Sequence, residues 1–172
     1  MLADWRIEPL AQRHIRCEFD CGEPELNEYL VKYARQNQDS GLARTFVTVR
    51  ENAQDRVIGY YALTVGAMDK AHLSPDAAKR LPGFPLPVAR LARLAVDRRA
   101  QGLGLGEDLL MDELHRCLTI ADQVGILAVV VDAKHPAAHS FYARYEFHSL
   151  PGQPLTLWLP MAVVRRLFGG GK

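Results

Sequence analysis

The sequence predicts an α/β protein with a mixed central sheet flanked by helices, and three features lead to this prediction. In the first half, two alternating β-rich segments are joined by a short polar turn, which is typical of an antiparallel hairpin. In the second half, a short apolar strand leads through a glycine-rich turn into a long amphipathic helix. The six apolar residues Ile126–Val131 then predict a central strand that is covered on both faces.

The first half begins with a short strand at Trp5–Pro9. A helix starts near Pro24 and runs to about Gln38, where Ser40-Gly41 ends it. Its apolar face consists of Leu26, Leu30, Tyr33 and Ala34. The hairpin follows, with strands Thr45–Arg50 and Val57–Val65 and a turn at Glu51–Asp55, and then a long connection, Met68–Pro87, in which Ser74-Pro75-Asp76 caps a short helix.

The second half opens on a predicted strand at Leu91–Val96. The helix that begins near Glu107 has an apolar stripe, and Gly125 is its expected C-terminal stop. The stripe consists of Leu110, Leu114, Cys117, Leu118, Ala121 and Val124. After the Ile126–Val131 strand, the pattern predicts a helix at Pro136–Tyr145, a hairpin of Phe147–Leu150 with Leu155–Leu159, and a terminal helical segment at Met161–Phe168.

Length and composition indicate one globular domain. The chain has 172 residues, enough for one core and too few for two ordinary domains, so we expect a single domain over 1–172 with a frayed tail at 167–172. The composition is 48% hydrophobic and 24% charged, with a net charge of +1. Any contact with nucleic acid therefore requires a local basic patch, because the whole molecule does not attract polyanions.

Cysteine usage and hydropathy favour a cytoplasmic protein. Cys17, Cys21 and Cys117 are odd in number and lack metal-ligand spacing, so we expect reduced thiols and no metal site. No apolar run approaches the ~20 residues that span a bilayer, and no signal-like segment follows Met1. We therefore expect no contact with a membrane.

The turn Gln101–Gly106, QGLGLG, has the features of a phosphate-binding loop. A strand, a glycine-rich turn and a helix start together expose backbone N–H groups at the positive end of a helix dipole. A P-loop needs Lys and then Ser or Thr after the last glycine, whereas Glu107 and Asp108 follow here. The third glycine of the dinucleotide fingerprint is also missing, since Glu107 or Leu109 stands at its position. The sequence therefore predicts a pyrophosphate-binding loop that is neither a P-loop nor a dinucleotide fingerprint.

This loop, preceded by a strand ending LAVD, resembles motif A of the GCN5-related N-acetyltransferases (GNAT family). The resemblance implies the GNAT fold, with a splayed pair of strands that accommodates acetyl-CoA as cosubstrate. It further implies that the loop amides hold the pyrophosphate and that the preceding strand pairs with the pantetheine arm. The residues concerned are Gln101, Gly102, Leu103, Gly104, Leu105 and Gly106 in the loop, and Leu94, Ala95 and Val96 in the strand.

A second segment, Ala138–Phe147, resembles motif B of the same family. In the family, the residue equivalent to Tyr142 donates a proton to the CoA thiolate as it leaves, which a phenol near the sulfur can do. The alternative is that Tyr142 belongs only to an aromatic core. Glu146 departs from the pattern where glycine is usual and positive φ is often required. His135 stands where many relatives have an Asn that contacts the cofactor, and we do not assign this contact to His135.

Nearly the whole chain resembles the acetyltransferase toxins of type II toxin–antitoxin modules. The specific segment lies outside the general motifs and includes Cys21-Gly22, Leu26, Leu30, Ala34, Gln36, Gly41 and Arg44-Thr45-Phe46-Val47, with Asn27 replacing a common Asp. The resemblance implies acetylation of aminoacyl-tRNA, inhibition of translation and silencing by a ribbon-helix-helix antitoxin. It also implies a homodimer and contact with DNA only through the antitoxin.

An aminoacyl-tRNA acceptor is chemically plausible. An α-amine has a pKa near 7.7–8.0, against 10.4 for Lys, and esterification of the carboxyl should lower the pKa of the α-amine further. The α-amine of an aminoacyl ester is thus largely neutral and needs little help from a general base, and no base is identified by spacing. Candidate RNA-binding cations are Lys32, Arg35, Arg44, Arg90 and Arg93, with Arg98 and Arg99 nearby in sequence. Arg90 and Arg93 differ in strand parity and point to opposite faces. Two alternatives stay open: an acetyltransferase acting on a small amine or protein N-terminus, and a non-catalytic acyl-CoA-binding regulator.

Overall fold

The computed structural model describes residues 4–169 and has a mixed sheet of seven strands. The strands are β1 (Trp5–Pro9), β2 (Arg44–Arg50), β3 (Ala53–Met68), β4 (Leu86–Val96), β5 (Ala128–Asp132), β6 (His148–Leu150) and β7 (Gln153–Pro160). They hydrogen-bond in the order β1-β2-β3-β4-β5-β7-β6. β4 and β5 are parallel, whereas the β1–β2, β2–β3, β5–β7 and β6–β7 pairs are antiparallel. The predicted mixed α/β sheet is therefore confirmed.

Helices connect and flank these strands. They are α1 (Pro24–Glu28), a π-helical turn (Tyr29–Tyr33), α2 (Ala34–Asp39), α3 (Pro75–Ala78), α4 (Leu105–Ala121), α5 (Pro136–Ala143) and α6 (Met161–Leu167), with 3₁₀ turns at Lys70–His72 and Arg98–Ala100. The Ser74 hydroxyl accepts a hydrogen bond from the Ala77 amide and caps α3, as the sequence predicts. The parallel ladder joins only Val88–Leu91 to Ala128–Val131, which is shorter than β4 itself.

Several predicted boundaries are wrong, and glycine or turn signals explain the errors. β3 begins at Ala53 and β4 at Leu86, so both strands extend into residues interpreted as turn or connection. α4 begins at Leu105 because Gly106 is accommodated in its first turn. The same helix ends at Ala121, so Val124 lies beyond it and is 62% exposed, and it does not belong to the apolar stripe.

The first helical segment also differs from its prediction. Tyr33, expected on the buried face, is 47% exposed, whereas Tyr29 is 4% exposed. The π turn explains the exposure of Tyr33, because one extra residue per turn rotates the following side chains around the helix axis. Tyr29 comes before this rotation and shares a face with Leu26 and Leu30 by ordinary helical spacing. Leu26, Leu30 and Ala34 are buried as predicted.

The described part of the C-terminal tail differs from its prediction. Leu167 is the last residue of α6, and the Gly169 amide donates to the carbonyl of Arg166, so a frayed tail does not begin at 167. Residues 170–172 of the predicted tail lie outside the described residues.

The chain divides into two compact units, each with a core of its own. The first unit extends to Thr64 and includes Ala92–Glu113, and its core contains Leu10, Phe19, Leu26, Tyr29, Leu30, Ala34, Val47, Val57, Tyr60, Ala62 and Ala95. The second unit takes Val65–Leu91 and the described residues from Leu114 onward, with a core of Met68, Leu73, Leu86, Val88, Ala128, Val130 and Leu150. Among the helices described, none is long and apolar enough to cross a membrane.

Candidate functional site

The glycine loop, Gln101–Gly106, has the backbone conformation that a phosphate cradle requires. Gly102 and Gly104 have φ values of +79° and +89°, in the left-handed region that L side chains rarely adopt. A Cβ added at either glycine would meet no atom within 4 Å. The loop therefore leaves open space next to its backbone, where a ligand can approach the amides without obstruction.

The start of α4 supplies donors to this space. The Asp108 amide donates to the Gly104 carbonyl at 3.2 Å, and the helix has no acceptor for the amides just before it. Seventeen residues of helix align their dipoles toward this end, which favours negative charge there. The carboxylate of Asp108 accepts from Trp5 Nε1 at 2.9 Å and is thereby held against β1. Open space beside the glycines and the start of a long helix are the two features that a phosphate-binding loop combines.

A glycine in β3 brings α4 close to the sheet. A Cβ on Gly59 would lie 3.0 Å from Leu105 Cδ2 and 3.2 Å from Leu109 Cδ1. Leu105 and Leu109 are almost completely buried, so their packing over Gly59 fixes the N-terminal turn of α4. The position of the glycine loop therefore depends on core packing as well as on its own sequence.

Asp97, directly after β4, anchors the loop and was missed as a site residue. Its carboxylate accepts hydrogen bonds from the Asp20 amide at 3.1 Å and from Arg99 through the amide, Nε and Nη2 at 2.9–3.1 Å. Asp97 is 1% exposed, and burial alone would raise its pKa. The hydrogen bonds from Arg99 and Asp20 outweigh burial and hold the pKa of Asp97 below its usual value. The sequence signal that could have identified Asp97 is an aspartate placed directly after an apolar strand.

The N-terminal segment around Cys21 is tied to the same loop. The Gln101 side-chain amide donates to the Cys21 carbonyl at 3.2 Å and to the Val96 carbonyl at 2.9 Å. The Arg98 amide donates to the Asp20 carbonyl at 2.8 Å, and Asn27 bonds both the Asp20 carboxylate and the Cys21 amide. The segment that carries the narrower toxin resemblance therefore supports the glycine loop from outside.

Replacing Asp97 by Asn is expected to lower the free energy of unfolding by about 1.5–3 kcal/mol at pH 7, because hydrogen bonds to a charged group are lost. Since the folded pKa of Asp97 is lowered, its contribution is complete above the unfolded pKa near 3.9 and disappears as pH falls through the folded value. Urea unfolding of both proteins between pH 7 and pH 3 measures this. A difference in stability that stays constant down to pH 3 would contradict the assignment.

Tyr142 lies on α5 within an aromatic cluster. The ring is 6% exposed and packs edge-to-face against Phe141 and Phe147, with centroid distances of 5.1 and 5.6 Å. α5 begins with Pro136, and His135 caps it by accepting a hydrogen bond at Nδ1 from the Ala138 amide. His135 thus performs the capping that Asn commonly provides. These contacts restrain the Tyr142 ring. Such restraint is expected both for a residue of an aromatic core and for a positioned proton donor.

Glu146 has a φ of +69°, as the comparison with motif B predicts for a position where glycine is usual. We expect Glu146→Gly to raise the free energy of unfolding by about 0.5–1 kcal/mol, because the left-handed strain exceeds the entropy cost of glycine. Glu146→Ala, which keeps the strain, should not stabilise. Thermal unfolding compares the three proteins, and equal gains from Gly and Ala would show that the side chain, not the backbone, is responsible.

The candidate RNA-binding cations differ in their surroundings. Lys32 pairs with Glu28 and Arg90 with Asp132, at 2.9 and 2.8 Å, so both are already engaged by carboxylates. Arg44 is exposed and Arg35 partly buried. Arg93 stacks on the ring of Tyr29, with its guanidinium carbon 3.8 Å from the ring centroid. Arg98 and Arg99 pair with Asp20 and Asp97.

Among residues 4–169, no three His, Cys, Asp or Glu side chains form a group that could hold a metal ion. Cys17, Cys21 and Cys117 are not joined by disulfides in the part of the chain that the structure describes. Burial raises the pKa of the Cys21 thiol, so this cysteine is not an activated nucleophile.

Comparison with known proteins finds the same type of domain. A family model described as an acetyltransferase (GNAT) domain matches residues 41–149. The chain is 44% identical to a tRNA-acetylating toxin of Mycobacterium tuberculosis, over 88% of this chain and 89% of the relative. It is 34% identical to a probable toxin TacT of Sinorhizobium fredii, over 95% of this chain and 94% of that one.

Solved structures agree with this result over 96% of the chain. A Tyr-to-Phe mutant of KacT superposes with a TM-score of 0.91 at 29% identity and is covered to 99%. AtaT complexed with acetyl-methionyl-tRNAfMet gives a TM-score of 0.89 at 30% identity, with 99% covered. A Tyr-to-Phe mutant of AtaT bound to acetyl-CoA and the C-terminus of the antitoxin AtaR gives 0.83 at 28%, with 98% covered.

Proposed function

The chain belongs to the GNAT acetyltransferase family, and from this premise we propose that it is a toxin that acetylates the α-amino group of aminoacyl-tRNA and so blocks translation. As a member of this family it is an N-acetyltransferase that uses acetyl-CoA as donor. The acceptor is the part that we propose. One observation supports it most strongly: 44% identity to a tRNA-acetylating toxin across 88% of the chain.

In our proposal, the glycine loop binds the diphosphate of acetyl-CoA through the backbone amides of Gln101–Gly106. The open space beside Gly102 and Gly104 and the dipole of α4 support this role. The backbone of Leu94, Ala95 and Val96 would hydrogen-bond the pantetheine arm. Asp97 and the Gln101 side chain keep the loop in place and need not contact the ligand.

The reaction needs little acid–base help at the amine. Acetyl-CoA supplies an activated acyl group as a thioester. The neutral α-amine attacks the carbonyl carbon, an N–C bond forms, the C–S bond breaks, and the amine proton passes to water. Tyr142 would donate its hydroxyl proton to the departing sulfur and regain one from solvent. No side chain is assigned as general base.

The RNA and protein partners follow from the same proposal. The candidate phosphate-binding residues are Lys32, Arg35, Arg44, Arg90 and Arg93. To bind RNA, Lys32 would leave the carboxylate of Glu28 and Arg90 that of Asp132, and each would pair with a phosphate instead. We further propose cytoplasmic action as a homodimer and silencing by a ribbon-helix-helix antitoxin, through which alone the protein contacts DNA. The AtaT structure with the C-terminus of AtaR supports an antitoxin partner.

Transfer of label from acetyl-CoA tests the acceptor. The protein is incubated with labelled acetyl-CoA and total charged tRNA, alongside small amines and peptides with free N-termini, and the labelled species are identified. We expect label on aminoacyl-tRNA that is released as an N-acetyl amino acid by alkaline hydrolysis of the ester. Label on the small amines or peptides only would favour the alternative acetyltransferase, and no label anywhere would favour a non-catalytic regulator.

A further inference from the structure

The π turn Tyr29–Tyr33 interrupts a helical segment that continues as α-helix on both sides. The Ala34 amide donates to the Tyr29 carbonyl, five residues back, instead of to the usual fourth. Such insertions are rare and often mark functional sites, because they turn side chains to positions that a regular helix does not reach. Here the turn begins at Tyr29, which is buried like Leu30, and ends at Tyr33, which is exposed.

The π turn is stabilised by an arginine from the preceding segment. Arg16 Nη1 donates to the Leu30 carbonyl at 2.8 Å and to the Val31 carbonyl at 3.2 Å. Burial lowers the pKa of Arg16, and the nearby charge of Arg35 lowers it further. Arg16 thus supplies a hydrogen-bond donor to two carbonyls of the irregular turn.

The Tyr29 ring contacts two other side chains. It stacks on Tyr60, with centroids 6.2 Å apart and planes inclined by 17°. Tyr60 is itself fixed, because its hydroxyl donates to the Leu26 carbonyl at 2.7 Å and its ring packs against Phe19. The guanidinium of Arg93 lies over the Tyr29 ring at 3.8 Å. The ring therefore forms a rigid platform for this cation.

Arg93 has no carboxylate partner in the part of the chain that the structure describes, although it is partly buried. Its neighbours in sequence are different: Arg90 pairs with Asp132, Arg98 with Asp20 and Arg99 with Asp97. Partial burial of a charge without a counter-charge is unfavourable unless a ligand supplies one. A rigid, uncompensated guanidinium is suited to an anionic group such as a phosphate.

We propose that Tyr29 is a positioning residue whose ring, presented by the π turn, holds the guanidinium of Arg93 for a phosphate group of the RNA. The inference rests on the proposed RNA substrate but is tested by RNA binding, without any need for turnover. Tyr29 acts only through Arg93, and Arg93 makes the contact.

The first test measures the Kd of labelled tRNA for Tyr29 variants by fluorescence anisotropy. Tyr29→Leu should weaken binding about three- to tenfold, the range of a lost cation–π contact. Tyr29→Phe keeps the ring and loses only the 3.4 Å contact from Asn37 to the hydroxyl. Its Kd for tRNA should therefore stay within about twofold of the wild-type value. Acetyl-CoA affinity serves as the check on folding and should change less than about twofold.

The second test asks whether Tyr29 acts through Arg93. Arg93→Gln should weaken tRNA binding about tenfold and reduce the slope of log Kd against log salt by about one. The double variant Tyr29→Leu/Arg93→Gln should bind no more weakly than Arg93→Gln alone. Arg165→Gln, which removes an exposed arginine paired with Asp122, is the matched control and should leave Kd within about twofold.

Additive losses in the double variant, or equal losses for Tyr29→Leu and Tyr29→Phe, would overturn the inference. So would a salt slope that Arg93→Gln leaves unchanged. Failure of the proposed function would be seen in a different experiment, the label transfer from acetyl-CoA. There the wild-type protein would bind tRNA but transfer no label to it.

Discussion

Replacing Tyr142 by Phe is expected to lower kcat for acetyl transfer by about 10²–10⁴-fold, the usual contribution of a positioned proton donor. The change removes only the hydroxyl. The ring contacts with Phe141 and Phe147, at 5.1 and 5.6 Å, depend on the aromatic face and edge and should persist. Acetyl-CoA affinity should therefore stay within about twofold of wild type. Single-turnover transfer from labelled acetyl-CoA measures the chemical step directly.

Tyr145→Phe is the matched control for this substitution. Tyr145 follows α5 and also packs against Phe141, at a centroid distance of 5.4 Å, so it offers a second phenol in the same cluster. Loss of its hydroxyl should leave kcat close to wild type. If Tyr142→Phe also retains kcat, Tyr142 has only a packing role and the proton reaches sulfur from another source.

Replacing Gly104 by Ala is expected to weaken acetyl-CoA binding about 100-fold. The φ of +89° imposes about 1–2 kcal/mol of strain on any side chain. A Cβ would also extend into the open space where a diphosphate approaches the amides, which removes charge-assisted hydrogen bonds. The strain lowers the stability of the fold, whereas the lost charge-assisted hydrogen bonds amount to roughly 3 kcal/mol of binding free energy, and each 1.4 kcal/mol corresponds to a tenfold change in Kd. Calorimetric titration with acetyl-CoA measures the loss.

Gly152→Ala separates strain from ligand binding. Gly152, in the β6–β7 turn, has a φ of +73°, and a Cβ there also meets no atom within 4 Å. This variant should lose about as much stability as Gly104→Ala but keep its affinity for acetyl-CoA. Equal losses of affinity in both variants would indicate that general destabilisation, and not the glycine loop, controls binding.

Residues whose signals are local were predictable from the sequence. Gln101–Gly106 combines a strand end, glycines and a helix start within a few residues, and the structure has a turn there that leads into α4. The positive φ at Glu146 was also predictable, since the motif usually has glycine at this position. The bounds of α4 were not, because glycine in a first helical turn and glycine in a loop have the same sequence signal.

Features that depend on tertiary contacts could not be predicted. The role of Asp97 depends on Asp20, which is 77 positions away in sequence. The π turn has no pattern of its own, so helical periodicity placed Tyr33 in the core instead of Tyr29. The cation over the Tyr29 ring comes from β4, and charge pattern alone gave Arg93 the same rank as Arg90, which is paired with Asp132.

The central claim is that the backbone of Gln101–Gly106 binds a diphosphate and thereby presents a thioester for transfer. The most direct measurement compares kcat/KM for acetyl-CoA with kcat/KM for acetyl-pantetheine, which lacks the diphosphate, in wild type and in Gly104→Ala. We predict that wild type prefers acetyl-CoA by at least about 100-fold, and that the preference falls to about tenfold or less in the variant, because the lost hydrogen bonds are those of the diphosphate. Equal use of both donors by the wild-type protein would contradict the account.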